Sequence, residues 1–429
     1  MTLKLSKSQE DAVSFVYETG QTYLVAPMGS GKTAIALHVI KELIHDGHIR
    51  KALIVAPLKV CQQVWCQEFE KWDARLNVAL ATDTPGNRQK AITDPDVDVI
   101  TINFENMAWF FKAGYAPLFD MIVIDEVTKL KAGGAGFKAL RKHIRDFNTR
   151  LVMSATPVEE SWEGLFYPFF CVDNGAALGR NKQKFLQTYF VPDYNGFKWT
   201  IKPGADEQLF AKIKPHMILL PDYRHELPPL KKRLIKLPMP SLAKAMYEAM
   251  KKDFLVSGTT AANAAVMTGK LQQIACGFIY TDSGDTRQIH FKKILALNKL
   301  LEPTATGGKM VVVYQFEEER RRLNTLLDDQ WLTFNIETWE NTEIPYLAIH
   351  PRSAGHGLDL TRASTLVFMS PIWSRDLTQQ TIGRVWRRGQ TKTVNVFTLI
   401  SEDTIEEQIC ARESDKAEHH KLLLTHLNN

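Results

Sequence analysis

The chain has 429 residues, 45% of them hydrophobic and 24% charged, the make-up of a folded protein with room for two lobes, not of a disordered or fibrous chain. Lys and Arg number 53 against 48 Asp and Glu, a formal net charge of +5, too small a surplus to argue nucleic-acid binding unless it is clustered. Five scattered cysteines exclude a disulfide framework and point to a reducing compartment.

At the N-terminus, MTLKLSKSQEDAV meets charge too early for a signal peptide. No apolar run approaches the ~18–20 residues of a membrane span. The expectation is a soluble cytoplasmic protein, nuclear if its source is eukaryotic, with no membrane contact. Five β-branched runs follow in order: TYLVAPM, KALIVAP, DVDVITI, MIVIDE and TRLVMSA. Each reads as a buried strand. Between them, stretches such as GKTAIALHVIKELIHDG keep the 3.6-residue apolar period of a covering helix, and such alternation implies a parallel sheet with helices on both faces. From about Pro157 to Pro229 the strand signal fades into aromatic and Pro-punctuated sequence. It reads as an insertion, from about residue 159, and a linker. Helical patterns then appear in SLAKAMYEAMKKDF and NAAVMTGKLQQIACGF, before a second set of strands from about residue 308: KMVVVYQF, YLAIHP, TLVFMS and VNVFTLI. A C-terminal helix closes the chain. The division expected is residues 1–225 and 226–429, with no internal repeat.

Ala26-Pro27-Met28-Gly29-Ser30-Gly31-Lys32-Thr33 follows the strand TYLV and opens a helix. Glycines let successive backbone N–H groups wrap a phosphate, and the helix N-terminus adds a favourable dipole. In such a loop Lys32 reaches the β- and γ-phosphates of ATP and the Thr33 hydroxyl binds Mg²⁺. A Gly-rich turn with an incidental Lys is the competing reading. Met121 to Glu126 is an apolar strand ending in two carboxylates. Beside a phosphate loop, Asp125 would hold Mg²⁺ and Glu126 would polarise the attacking water; alone, both would be solvated turn residues or caps. Ser154-Ala155-Thr156-Pro157 by itself reads as a helix cap.

In the second half, Ser353 to Leu360 is a small-residue loop, with Gly357 and Asp359, able to approach a phosphate or ribose. An ordinary turn is the plainer alternative. Gln380 to Gln390 follows, with Arg384 and Arg387 three apart. On a helix they would project from one face, where two guanidinium groups suit the equatorial oxygens of a transferring phosphoryl group. A solvated basic face is the bland meaning.

Together these residues resemble helicase superfamily 2, and within it the SWI/SNF-related ATPases that move along double-stranded DNA. The resemblance spans nearly the whole chain. Leu5 and Gln9 match the family's adenine-reading segment, LIVAPLKVCQQVW resembles motif Ia, ITINFENM motif Ib, and SATPVEESWEGLF motif III with its following helix. KMVVVYQF is similar to motif IV, SAGHGLDL to motif V, and the long block around QQTIGRVWRRGQ to motif VI with its flanks. ELPPLKKRLIKLPMPSLAKAMYEAM resembles the link between lobes. Several positions depart from the family's usual residues. Ala26-Pro27 stands for Asp-Glu, Thr128 for His, Glu160 for Asn, Asp359 for Asn, and Gly383 and Trp386 for Asp and His.

The resemblance implies an α/β fold of two RecA-like lobes, ATP and Mg²⁺ as cofactors, and Gln380, Arg384 and Arg387 acting with Lys32, Asp125 and Glu126. It places Lys59 and Asn103 where the family grips the DNA backbone, contacts that hold phosphate without reading bases. Lys231 and Lys232 join Arg233 and Lys236 by the lobe linker, and Arg375 joins Arg384, Arg387, Arg388 and Lys392. Both clusters suit a DNA backbone, though the linker cluster serves solubility equally well. A monomeric translocase on double-stranded DNA leads the readings. A strand-separating helicase or restriction-type motor is the alternative, and an inactive scaffold is disfavoured by the intact ATP residues.

Overall fold

The computed structural model describes residues 4–72, 75–130, 134–156, 162–193, 199–256, 261–281, 283–301, 308–353 and 358–411. They form two compact units, one up to Tyr223 and one from Arg224. In the first unit lie β1 (Gln21–Val25), β2 (Ala52–Ala56), β3 (Val78–Leu80), β4 (Val99–Asn103), β5 (Met121–Asp125) and β6 (Thr149–Ser154). A hairpin of β7 (Phe190–Pro192) and β8 (Trp199–Ile201) pairs with itself, and β9 (Met217–Leu219) returns to the main sheet. The order is β3-β4-β2-β5-β6-β1-β9, every pair parallel.

The two-residue period of a strand explains why both faces are covered. Leu53, Val55, Ile122 and Ile124 point into one core, while Ala52, Ile54, Met121 and Val123 point into the other. Helices α1 (Lys7–Thr19) and α2 (Lys32–His45) cover the second core with Val13, Val16, Ile35, Val39 and Ile40. The segment expected as an insertion is in large part core. Helix Phe166–Asp173 packs on β1 and β6, with Phe166, Phe169 and Phe170 in the first core, and β9 pairs with β1. A three-residue strand is too short to show a period, so β9 left no signal; β3 was silent for the same reason.

In the second unit β10 (Leu230–Leu237) precedes the hairpin of β11 (Phe278–Tyr280) and β12 (Thr286–Gln288). Then come β13 (Lys309–Val313), β14 (Leu332–Thr333), β15 (Tyr346–Ile349), β16 (Ala363–Phe368) and β17 (Val394–Ser401). The main sheet runs β10-β17-β16-β13-β15-β14, again all parallel. Val311 and Val313 enter one core, Met310 and Val312 the other. The expected helices are present as Ser241–Val256 and Ala261–Cys276. The stretch LKKRLIKL, read as linker, is instead the edge strand β10. Its exposed Lys231, Lys232 and Arg233 disguise it, and charges on an edge strand discourage pairing with another chain. Of the expected C-terminal helix, residues 405–411 are helical and the rest lies outside the described residues.

Candidate functional site

Because the first sheet is parallel, the polar residues that end its strands collect at one end. β1 runs into the loop Ala26–Gly31, and the register pairs Val25 with Ser154 and Asp125 with Met153. Gly29 and Gly31 have φ of +76° and +86°, a region costly to any residue with a Cβ. At Gly31 a Cβ would also stand 2.2 Å from Gln9 Nε2. The loop is tied back through its carbonyls. Ser30 Oγ donates to Pro27 O at 2.6 Å, Gln9 Nε2 to Ser30 O at 2.8 Å, Tyr223 Oη to Met28 O at 2.6 Å and Lys32 Nζ to Ala26 O at 2.8 Å. Carbonyls engaged in this way leave amide N–H groups as the loop's means of holding an anion. Gln9 therefore braces the loop, its own Oε1 accepting from Ser6 N in the capping box of α1. Thr33 sits in the first turn of α2.

Asp125 ends β5 and is buried. Burial first, then the adjacent Glu126 charge, pushes its carboxyl up to about 6, against the opposing pull of Lys32 and of a hydrogen bond from Trp65. That bond runs from the indole Nε1 to Asp125 Oδ2 at 3.1 Å. Trp65 ends a π-helical turn, Val60–Trp65, the kind of irregularity that accompanies functional sites. Nothing in the periodicity of LKVCQQVW singles it out. Glu126 adopts φ +66°, ψ +58°, unusual for a residue other than Gly. Thr128 Oγ1 donates to Glu126 Oε1 at 3.0 Å, so the threonine standing for the family's histidine orients the carboxylate. Beyond β6, Ser154 Oγ lies 2.8 Å from Tyr23 Oη, which also donates to Thr156 O. Pro157 and Glu160 lie outside the described residues; beyond them a 3-10 turn, Trp162–Leu165, leads into helix Phe166–Asp173.

Lys59 is exposed at the head of the π-helical turn, where a phosphate can reach it. Asn103 is buried, its Nδ2 donating to Glu105 Oε2 at 2.6 Å and its Oδ1 accepting from Asn106. Its amide is largely spent within its own loop.

In the second unit Arg375 opens the helix Arg375–Val385, whose N-cap Ser374 accepts from Leu377 N. Gln380 is buried and Arg384 lies in the last turn. The helix stops there. Trp386 leaves helical geometry at φ −102°, ψ +84°, and its indole donates to Pro228 O at 2.7 Å. Arg387 therefore follows the helix in a bend, correcting the expectation that both arginines share one helical face. They still converge on motif V, for Leu360 N donates to Arg384 O at 3.0 Å and Arg387 Nη1 reaches Leu358 O at 3.5 Å. Asp359 is exposed and caps its own turn, its Oδ1 accepting from Thr361 N and Oγ1. Gly357 lies outside the described residues.

The SNF2-related domain family matches residues 9–279. Protein p41 of Acyrthosiphon pisum secondary endosymbiont phage 1 is 30% identical, over 93% of each chain. An uncharacterized ATP-dependent helicase of Mycoplasma genitalium is 24% identical over 96% of this chain, which spans 42% of it. Nuclear protein STH1/NPS1 of Saccharomyces cerevisiae is 24% identical over 92% of this chain, which spans 32% of it. Among solved structures, the Sulfolobus solfataricus SWI2/SNF2 ATPase core in complex with dsDNA is 20% identical with a TM-score of 0.47, covering 99% of this chain and 95% of that one.

Proposed function

Because the chain belongs to the SNF2-related family of helicase superfamily 2, and so to the DNA-dependent ATPases, we propose that it moves along double-stranded DNA without separating the strands. The observation that supports an ATP-driven motor is the assembly at the ends of β1, β5 and β6; the choice of duplex rests on the resemblance of the motif VI block to the duplex-translocating branch. A braced phosphate loop with Lys32 stands beside the Asp125–Glu126 pair; in this reading Arg384 and Arg387, of the other unit, act on the same nucleotide. Lys32 neutralises phosphate charge, Glu126 takes the proton of the attacking water, and the arginines stabilise charge on the transferring group.

The residues fit Mg²⁺. Asp125 is a buried carboxylate whose negative charge lacks solvent, and with the Thr33 hydroxyl it offers the oxygen ligands that Mg²⁺ prefers. Among the described residues no group of three or more His, Cys, Asp or Glu could hold a metal. Mg²⁺ on nucleotide needs no such cage, since it keeps waters and phosphate oxygens around it. Held by Asp125 and Thr33, the ion would supply neutralisation of phosphate charge.

The polymer is met by Lys59 in the first unit and by the exposed Lys231 and Lys232 on β10. Such contacts hold the backbone independently of sequence and weaken steeply with salt. The protein acts as a monomer in the cytoplasm of a bacterial or phage-infected cell, a setting that the phage relative supports. Among the described residues no helix is long and apolar enough to cross a membrane. The test is ATP turnover with no polymer, single-stranded DNA, duplex DNA and duplex RNA in parallel. Duplex DNA should stimulate most, and a tailed duplex should stay paired. Greater stimulation by single strands, with unwinding, would make the protein a helicase instead.

A further inference from the structure

The phosphate loop, Asp125, Lys59 and Asn103 all lie at or just beyond the C-terminal ends of the first sheet's strands. At the opposite end lies a cluster of cations that none of the chemistry above uses. Helix Ala135–His143 and the turn after it bury Phe137, Leu140, Ile144 and Phe147. The other face carries Lys138, Arg141, Lys142 and Arg145, all exposed, at the i, i+3, i+4, i+7 spacing of one helical stripe. At 1.5 Å per residue the stripe is about 10 Å long. It leads into the start of β6, and Asn148 N bonds Asp120 O just ahead of β5, which fixes the cluster at the strands' N-terminal ends.

A neighbouring loop completes it. Arg141 Nη2 donates to Arg180 O at 2.9 Å, and Arg180 Nε to Asn174 O at 3.2 Å. With the Asn174 amide turned to present its oxygen, Arg145 Nε and Arg180 Nη2 each stand 2.6 Å from it. Three guanidinium groups are thus gathered by neutral carbonyl oxygens. The acids nearby are committed elsewhere. Asp146 pairs with His143 at 2.9 Å, and Asp173 accepts from the backbone of Gly175, Ala176 and Ala177. Among the described residues no carboxylate bonds to Arg141, Arg145 or Arg180. Like charges held together without a counter-ion cost free energy that an anion removes.

Beneath the rim is a cavity of about 230 Å³ walled by Phe137, Tyr167 and Phe170 and edged by Arg141, Arg180 and Lys182. Phe137 packs edge-on to Tyr167 at 5.0 Å, and Lys182 Nζ stands 5.2 Å from the Tyr167 ring centre. This space is smaller than the ~300 Å³ at which ligand pockets begin, which leaves the charged rim as the surface that meets a ligand. Planar guanidinium forks match phosphate oxygens two at a time. Cations spaced along about 10 Å match the repeating charge of a polynucleotide backbone, and the aromatic-walled space beneath them is below the size of a pocket that would take an acidic protein's apolar anchor.

We propose that this end of the first unit is a second polynucleotide site, where Arg141, Arg145 and Arg180, with Lys138, Lys142 and Lys182, hold a DNA segment other than the one the motor moves along. The proposal rests on the DNA-motor reading. It makes the motor a bridge between two stretches of duplex.

The test uses the full chain bound to an immobilised duplex and measures capture of a second, labelled duplex. Two variants are compared with wild type. One is neutralised by Arg141→Gln, Arg145→Gln and Arg180→Gln; the other carries Lys138→Glu and Lys142→Glu, at exposed residues whose side chains make no hydrogen bond or ion pair with the described residues. Both should lose capture about tenfold or more, and the salt dependence of capture should flatten by about one unit of slope per lost phosphate contact. Polymer-free ATP turnover, and turnover at saturating short duplex, should stay at wild-type level. Capture by both variants equal to wild type would overturn the proposal. So would absence of capture by a wild-type protein whose ATPase duplex DNA stimulates, an outcome that leaves the motor reading intact. Tighter binding of polyglutamate than of duplex, lost in the same variants, would reassign the surface to an acidic protein. If duplex DNA neither bound nor stimulated wild type, the motor reading itself would fall and this site with it.

Discussion

Asp125 and Glu126 are consecutive carboxylates kept apart in role by their surroundings. Asp125 is buried under an indole N–H donor, whereas Glu126 sits in left-handed backbone with its carboxylate held by Thr128. Replacing Trp65 by Phe keeps most of the packing against Phe69 but removes the donor to a charged acceptor, a bond worth about 1.5–3 kcal/mol. Trp65→Phe should weaken Mg²⁺-dependent nucleotide binding roughly tenfold to a hundredfold by that measure, with metal-free binding little changed; calorimetric titration with and without Mg²⁺ separates the two. Glu126→Gln should bind ATP normally and hydrolyse it about 10²–10⁴-fold more slowly, the usual contribution of a general base. Near-normal single-turnover hydrolysis by that variant would remove Glu126 from the catalytic role. These carboxylates were legible in the sequence because a strand-end acidic pair downstream of a phosphate loop has few other uses. Trp65 and Tyr223 were not, since each acts through one hydrogen bond made only when distant segments meet.

Among the elements, α2 and its loop depend on one backbone position. Gly31→Ala meets both a positive φ and the buried Gln9 amide, so it should lose nucleotide binding and cost about 1–2 kcal/mol. Adding Gln9→Ala should return the space without the φ, giving partial rescue of stability in a denaturant melt. In the second unit, Glu406 is fully buried against Lys293 at 2.6 Å and accepts from Ser401 N at 2.8 Å. Just beyond β17, it joins helix Lys292–Leu301 to the end of that strand. Glu406→Gln leaves a buried ammonium without its counter-charge and should cost about 3–5 kcal/mol. Nearby, burial first and then Arg322 and Lys293 lower His290 to about 4. A histidine depressed from 6.5 is neutral when folded and takes up a proton more readily when unfolded. Its contribution is therefore complete above about 6.5 and lost as pH falls toward 4. His290→Gln should flatten the pH dependence of unfolding across that window. Long, β-branched strands such as β5 and β13 announced themselves through uninterrupted burial. β3, β9 and β14 are two or three residues long and β10 is charged, so propensity had nothing to register; their places come from pairing with neighbours.

At the scale of the whole molecule, the proposed chemistry draws on two units that each have a main sheet with a core on either face. The first carries the phosphate loop, Lys32 and both carboxylates. The second carries Arg384 and Arg387, about 350 residues further along the chain. An arginine supplied to the transferring phosphoryl group is worth about 10³–10⁵ in rate, while triphosphate affinity comes chiefly from the loop and its lysine. Residues 1–223 alone should therefore fold, bind ATP with near-native affinity and turn it over extremely slowly, with no response to duplex DNA. In the full chain, Arg384→Ala and Arg387→Ala should each reproduce that slow turnover with ATP affinity nearly kept. The two should not be equivalent in stability. Arg384 belongs to the last turn of a helix whose backbone Leu360 depends on, whereas Arg387 sits in the bend beyond it, where its guanidinium makes only a long 3.5 Å contact to Leu358 O among the described residues. Arg387→Ala should thus be the cleaner probe, losing turnover without shifting the thermal transition. Strong duplex-stimulated hydrolysis by residues 1–223, or full activity in Arg387→Ala, would show that the first unit completes its own catalytic site and that the second serves only to hold DNA.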